Sequence, residues 1–174
     1  MNGEFVIATG RLASGRTEFL LKAGKEFFQE FGNTDILSAD ITVDAVAEKN
    51  GRRIGLDLTI SGTVTVPCDR CLEDLELEVS SAPRFLVKTA EEETAGDGTE
   101  EDREVLLADG SGSLDLSQAV YDYVILSLPM VRTHGEGGCS DAAIRYLAGE
   151  GSDEEASESV QSPFAALKGL FEGK

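Results

Sequence analysis

Apolar and polar side chains alternate on both sides of Asn50-Gly51, and this pattern constrains the 174-residue chain more than any other feature. Asn-Gly suits a two-residue type I′ hairpin turn, because both central positions of that turn take positive φ. With Lys49 facing Arg52 across the turn, Ala47 faces Ile54, Ala45 faces Leu56, Val43 faces Leu58 and Ile41 faces Ile60. Every pair is apolar and all share one face, so a slip by one residue would turn the whole set to water. The even-numbered face continues through Gly62, Val64 and Val66 to Cys68, which predicts one long strand over 53–66. Pro67 and Asp69 break the pattern, and Leu75, Leu77 and Val79 then alternate with glutamates as the next strand. The expected fold is α+β: an antiparallel β-meander or partly closed barrel, with a C-terminal helix packed on it and short terminal helices.

The remaining segments fit around that meander. Glu4–Thr9 and Thr17–Leu21 are β-prone, and Arg84–Lys88 extends the sheet. KEFFQEF at 25–31 places Phe27, Phe28 and Phe31 on one helical face, which reads as an aromatic plug capping a sheet rather than a ligand box. Asp115 and Gln118 form a capping-box pattern ahead of a stripe made by Leu116, Ala119, Val120, Tyr123 and Val124. Ile125, Leu126 and Leu128 make the end of that helix apolar nearly all round, so it should be buried against the sheet until Pro129 stops it. A short helix follows Ser140 or Asp141 and runs to Ala148, with Ile144 and Leu147 inward. The domain organisation expected is a single domain over 1–150 containing an acidic, mobile loop at 89–112, an acidic linker at 151–161, and a short amphipathic tail at 162–174.

Charge narrows the function. A net charge of −18 argues against spontaneous attraction to naked nucleic acid or anionic lipid and favours basic partners. The acidity is densest in TAEEETAGDGTEEDRE at 89–104 and in the tail, leaving the rest only mildly acidic. Three cysteines are too few for a disulfide scaffold, and neither a signal segment nor an apolar run near 18 residues is visible. The expectation is a cytoplasmic protein with reduced thiols and no small-molecule substrate.

Chemistry concentrates in two short stretches. Cys68-x2-Cys71 and His134-x4-Cys139 together supply three thiols and the only imidazole, a permissible Cys3His set for one structural zinc ion. Two other readings of the same residues stay open. The cysteines would form a redox pair if CxxC opened a helix in a βαβ unit, but its flanks alternate as strands do. They would otherwise be small side chains in a tight turn, with His134 a polar loop residue. Enzyme templates are missing: no GxGxxG after a strand, no P-loop, no HExxH and no GxSxG. A Cys139–His134 nucleophile pair would lack both an oxyanion hole and an orienting acid. The reading is of a protein that is not an enzyme.

GTVTVPCDRCL at 62–72, LDLSQAVYDYVILSLPMVRTHGEGGC at 114–139 and the closing SPFAALKGL resemble the bacterial YceD family, proteins of large ribosomal RNA subunit accumulation. The resemblance implies a non-enzymatic factor that supports 23S rRNA accumulation and large-subunit assembly. Carried residue by residue, it points to Cys68, Arg70, Cys71, His134 and Cys139, with Leu128-Pro129 structural. Met130-Val131-Arg132 stands where the family's pattern has a proline shortly before the histidine. Two routes to function then fit the charge. Arg52, Arg53, Arg70 and Arg132 could contact rRNA locally, or the acidic segments could shield a basic ribosomal protein. A zinc-binding interaction module with another cytoplasmic partner is the alternative, and a CxxC thiol-redox protein a further one.

Overall fold

The computed structural model describes residues 5–51, 53–89, 104–108 and 112–147. The chain divides into two compact units, Met1–His134 and Gly135–Lys174. Arg52, residues 90–103 of the acidic loop, the linker at 151–161 and the tail at 162–174 lie outside the described residues.

The first unit is built on one sheet in which alternation decides what is buried. β2 (Gly15–Gly24), β3 (Ser38–Asn50) and β4 (Arg53–Pro67) pair antiparallel in sequence. Ile41, Val43, Ala45 and Ala47 from β3, and Ile54, Leu56, Leu58, Ile60, Val64 and Val66 from β4, are all buried. Asp44, Glu48, Asp57 and Thr59, at the intervening positions, are exposed. The expected long strand is present. Its register differs from the expectation by two residues: Asn50 faces Arg53, so Ala47 faces Leu56, Ala45 faces Leu58 and Val43 faces Ile60. The turn is centred one residue later, with Gly51 at φ 62°. A two-residue shift leaves every side chain on its own face, so patterning alone cannot separate the two registers.

Two further strands flank β4 on its other edge. β5 (Asp74–Ser81) pairs with the second half of β4, and β6 (Arg84–Thr89) with the first half. Val66 faces Leu75 and Leu56 faces Phe85, the same antiparallel register on either side of Ala82-Pro83. β5 and β6 are therefore one line of chain opposite β4, interrupted where proline has no N–H to give the ladder. The Pro83 carbonyl still accepts from the Leu58 N–H at 3.0 Å. β7 (Glu104–Ala108) adds to β6 in parallel, which the meander expectation did not contain, and leaves the sheet open rather than closed into a barrel. β1 (Val6–Ala8) and β8 (Ser113–Asp115) form a separate two-stranded ribbon.

Helices complete the core. α1 (Lys25–Glu30) buries Phe27 and Phe28 as the spacing predicted, and Phe31 beyond it stacks on Tyr121 at 4.4 Å. Tyr121 belongs to α2 (Ser117–Ser127), which buries Ala119, Val120 and Val124. The capping box is replaced by a different start. The Asp115 carboxylate accepts the Ser117 N–H at 2.8 Å from the end of β8, and Gln118 turns to Asp122 instead of back. The end of α2 is also more open than its composition suggests, since Leu126 is 76% exposed. In the second unit, α3 (Asp141–Leu147) forms where expected, but Ile144 and Leu147 are exposed among the described residues.

At Gly62 the β3 backbone leaves no room for a side chain on β4. This glycine has φ 150°, and a Cβ there would sit 2.0 Å from the Asp40 carbonyl oxygen, a backbone atom that cannot swing aside. Gly62→Ala should destabilise the protein by roughly 3 kcal/mol or more, the range of strained-backbone and overpacking substitutions. Chemical denaturation measures this, and a loss under about 1 kcal/mol would contradict the close approach.

Candidate metal centre

The inward face of β4 ends at the site. Val64, Val66 and Cys68 occupy successive inward positions, so the parity that builds the core also turns the Cys68 thiol inward, where it is fully buried. Beyond Pro67 the chain reverses in a tight knuckle. The Cys68 N–H donates to the Glu73 carbonyl at 2.8 Å, and the Leu72 N–H returns to the Cys68 carbonyl at 2.9 Å. Leu72 closes the turn with φ 61°, the only non-glycine at positive φ among the described residues. The Arg70 N–H points at the Cys68 sulfur at 3.5 Å.

His134 meets this knuckle from 63 residues away. Its Nδ1 lies 3.4 Å from the Cys71 Sγ, and its Nε2 lies 3.2 Å from the Asp74 carbonyl oxygen. A carbonyl only accepts, so Nε2 carries the hydrogen and Nδ1 presents its lone pair to the sulfurs. This is how a second partner fixes the tautomer of a ligating imidazole. The donor atoms of Cys68, Cys71 and His134, the three candidate ligands of the first unit, lie within 4.8 Å of one another, and Cys139 is buried in the second unit. Tetrahedral zinc with Zn–S near 2.3 Å and Zn–N near 2.0 Å requires donors about 3.5–3.8 Å apart, so small rotations would suffice to close the set.

A second tie holds the same two segments and was not foreseen from the sequence. The Asp69 N–H donates to the Arg132 carbonyl at 2.7 Å, and the Arg132 N–H donates to the Asp69 carboxylate at 2.7 Å. The Arg132 guanidinium adds a 3.3 Å contact to the same carboxylate and lies 3.9 Å from Asp35. Nothing local announces Asp69, because its partner is distant in sequence. The other cations proposed as contacts are spread out. Arg53 opens β4 and Arg70 lies beyond its far end, and 15 residues of strand span roughly 45 Å.

Electrostatics favour a thiolate at Cys68. Burial acts most strongly and raises its pKa, but the backbone N–H groups of Cys71, Arg70 and His134 together with the Cys71 thiol outweigh it, giving a value lowered from 9.0 to about 6. A thiol whose folded pKa lies below its unfolded one adds stability in full above about pH 9, and that stability is lost as pH falls through about 6. In metal-free protein, thiolate absorbance should show a step near pH 6 that is missing in Cys68→Ser. A first step near the free-thiol value of about 8.5 would contradict this. Leu72→Gly should relieve left-handed strain worth about 1–2 kcal/mol, less the added freedom of glycine when unfolded, for a net gain of about 0.5–1 kcal/mol in denaturation.

A scan against family models matches residues 56–171 to the family described as large ribosomal RNA subunit accumulation protein YceD. No curated protein and no solved structure gives a significant match. The matched region spans about two thirds of the chain and takes in most of β4, the knuckle, α2 and the segment carrying His134 and Cys139. The chain belongs to the YceD family, whose name places it in large-subunit ribosomal RNA accumulation.

Proposed function

We propose that this protein supports the accumulation of large-subunit ribosomal RNA as a non-enzymatic binding factor, engaging a ribosomal protein rather than a broad phosphate surface. The family match over 56–171 carries this reading. Charge supports the choice of partner. At a net charge of −18, a phosphate footprint needs a concentrated basic patch, yet Arg53 and Arg70 lie at opposite ends of β4 and Arg132 is held by Asp69 and Asp35. A basic ribosomal protein would instead meet complementary charge.

Within this function, Cys68, Cys71, His134 and Cys139 would hold one structural zinc ion. The donor chemistry of the four residues and the spacing of the Cys68, Cys71 and His134 donor atoms support it, and the Asp74 carbonyl orients the imidazole. Zinc supplies no reaction here, because four protein ligands leave no open position for a substrate. It would fasten the knuckle to the segment after α2, where the reducing interior of a cell would not maintain a disulfide.

Elemental analysis of protein purified without a histidine tag should find one zinc per chain, with little in Cys71→Ser. In cells of the source organism, deleting the gene should produce a deficit of large subunits on sedimentation, restored by the wild-type chain. A normal ribosome profile after deletion would remove the functional reading, whatever the metal content.

A further inference from the structure

The end of α2 carries an apolar surface that the core does not use. Leu126 is 76% exposed, Met130 is fully exposed and Val131 is 69% exposed. Two grooves share Ile125 and Leu126 in their walls, one of about 410 Å³ over Phe85 and Tyr123, the other of about 340 Å³ beside Pro129 and Met130. Exposed apolar residues gathered around concavities mark interaction sites more often than scattered single ones do.

The rims indicate what fits. Asp115 and Asp122 edge the first groove, and Asp35 with Arg132 the second. Asp115 accepts a backbone N–H and Asp122 a glutamine amide, and neither contact cancels a negative charge. Among the described residues no cation pairs with either. Arg132 offers no surplus positive charge, since its guanidinium lies against Asp69 and Asp35. No lysine lines either groove. The surface is therefore apolar at its centre and negative at its edge.

We propose that this surface docks a lysine- or arginine-rich protein segment that presents apolar anchor side chains, its aliphatic or aromatic groups filling the two grooves and its cations meeting Asp115, Asp122 and Asp35. The inference rests on the ribosomal-protein reading above and deepens it by assigning the contact surface. Phosphate groups would meet the same carboxylates with repulsion, which sets nucleic acid aside as the occupant.

The test uses the full chain and two short labelled peptides of equal charge, one alternating lysine with leucine and the other lysine with serine. Fluorescence anisotropy should show the lysine–leucine peptide binding at least about tenfold tighter. Replacing Leu126 and Met130 together by serine should erase that difference, and their exposure means the fold has little need of them. Asp115 and Asp122 changed together to asparagine should weaken the lysine–leucine peptide, with a reduced salt dependence. Equal binding of both peptides, or no change in the double serine variant, would overturn the proposal. So would a dimer that Leu126→Ser and Met130→Ser dissociate, which would give the surface to a second copy. A gain of about tenfold in peptide affinity on replacing Phe164 and Phe171 by serine would give it to the chain's own tail, and displacement of the peptide by an RNA oligonucleotide would give it to nucleic acid. A ribosome profile separates this inference from the reading beneath it. If the wild-type chain restores large subunits in the deletion strain and the double serine variant does so equally well, only the docking surface fails.

Discussion

The parity of β4 is the constraint on which the rest of the first unit depends. Even-numbered side chains from Ile54 to Val66 are buried, and Cys68 is the next on the same side. Burial of that row contributes to the sheet's hydrophobic stabilisation and also settles which way the first thiol points. A strand that slipped by one residue would lose both at once. The core and the candidate metal centre are thus not separate features of the sequence, because one periodicity produces them both.

Much of this was legible because it is local. Alternation located β3, β4 and β5, the phenylalanine spacing located α1, and Pro129 marked the end of α2. What escaped was decided by long-range or backbone terms. The two-residue difference in the β3–β4 register leaves each face intact, so the hydrophobic pattern is blind to it. Asp115 looked like half of a capping box, but its position at the end of β8 made it the acceptor for Ser117 instead. β7 joins β6 in parallel, a pairing that needs a crossover and leaves no signature in a five-residue segment.

The candidate centre divides in the same way. Cysteine and histidine spacing suggested four ligands, since the chemistry of soft donors is written in residue type. The sequence said nothing of the Asp74 carbonyl that sets the imidazole's tautomer, nor of the left-handed Leu72 that closes the knuckle. Arg132 stood out in the sequence as a cation available to a partner. The structure instead gives it an internal role between Asp69 and Asp35, because a guanidinium beside two carboxylates is held where a lone one would be free.

The paired grip of Asp69 and Arg132 bears on how an ion would come and go. Main chain binds side chain in one direction and main chain in the other, and no sulfur or imidazole takes part. Without any ion, this clasp ties the knuckle to the segment leading to His134. An ion entering or leaving such a site would then trade places on donors already held near one another, and would not await reassembly of the surrounding protein.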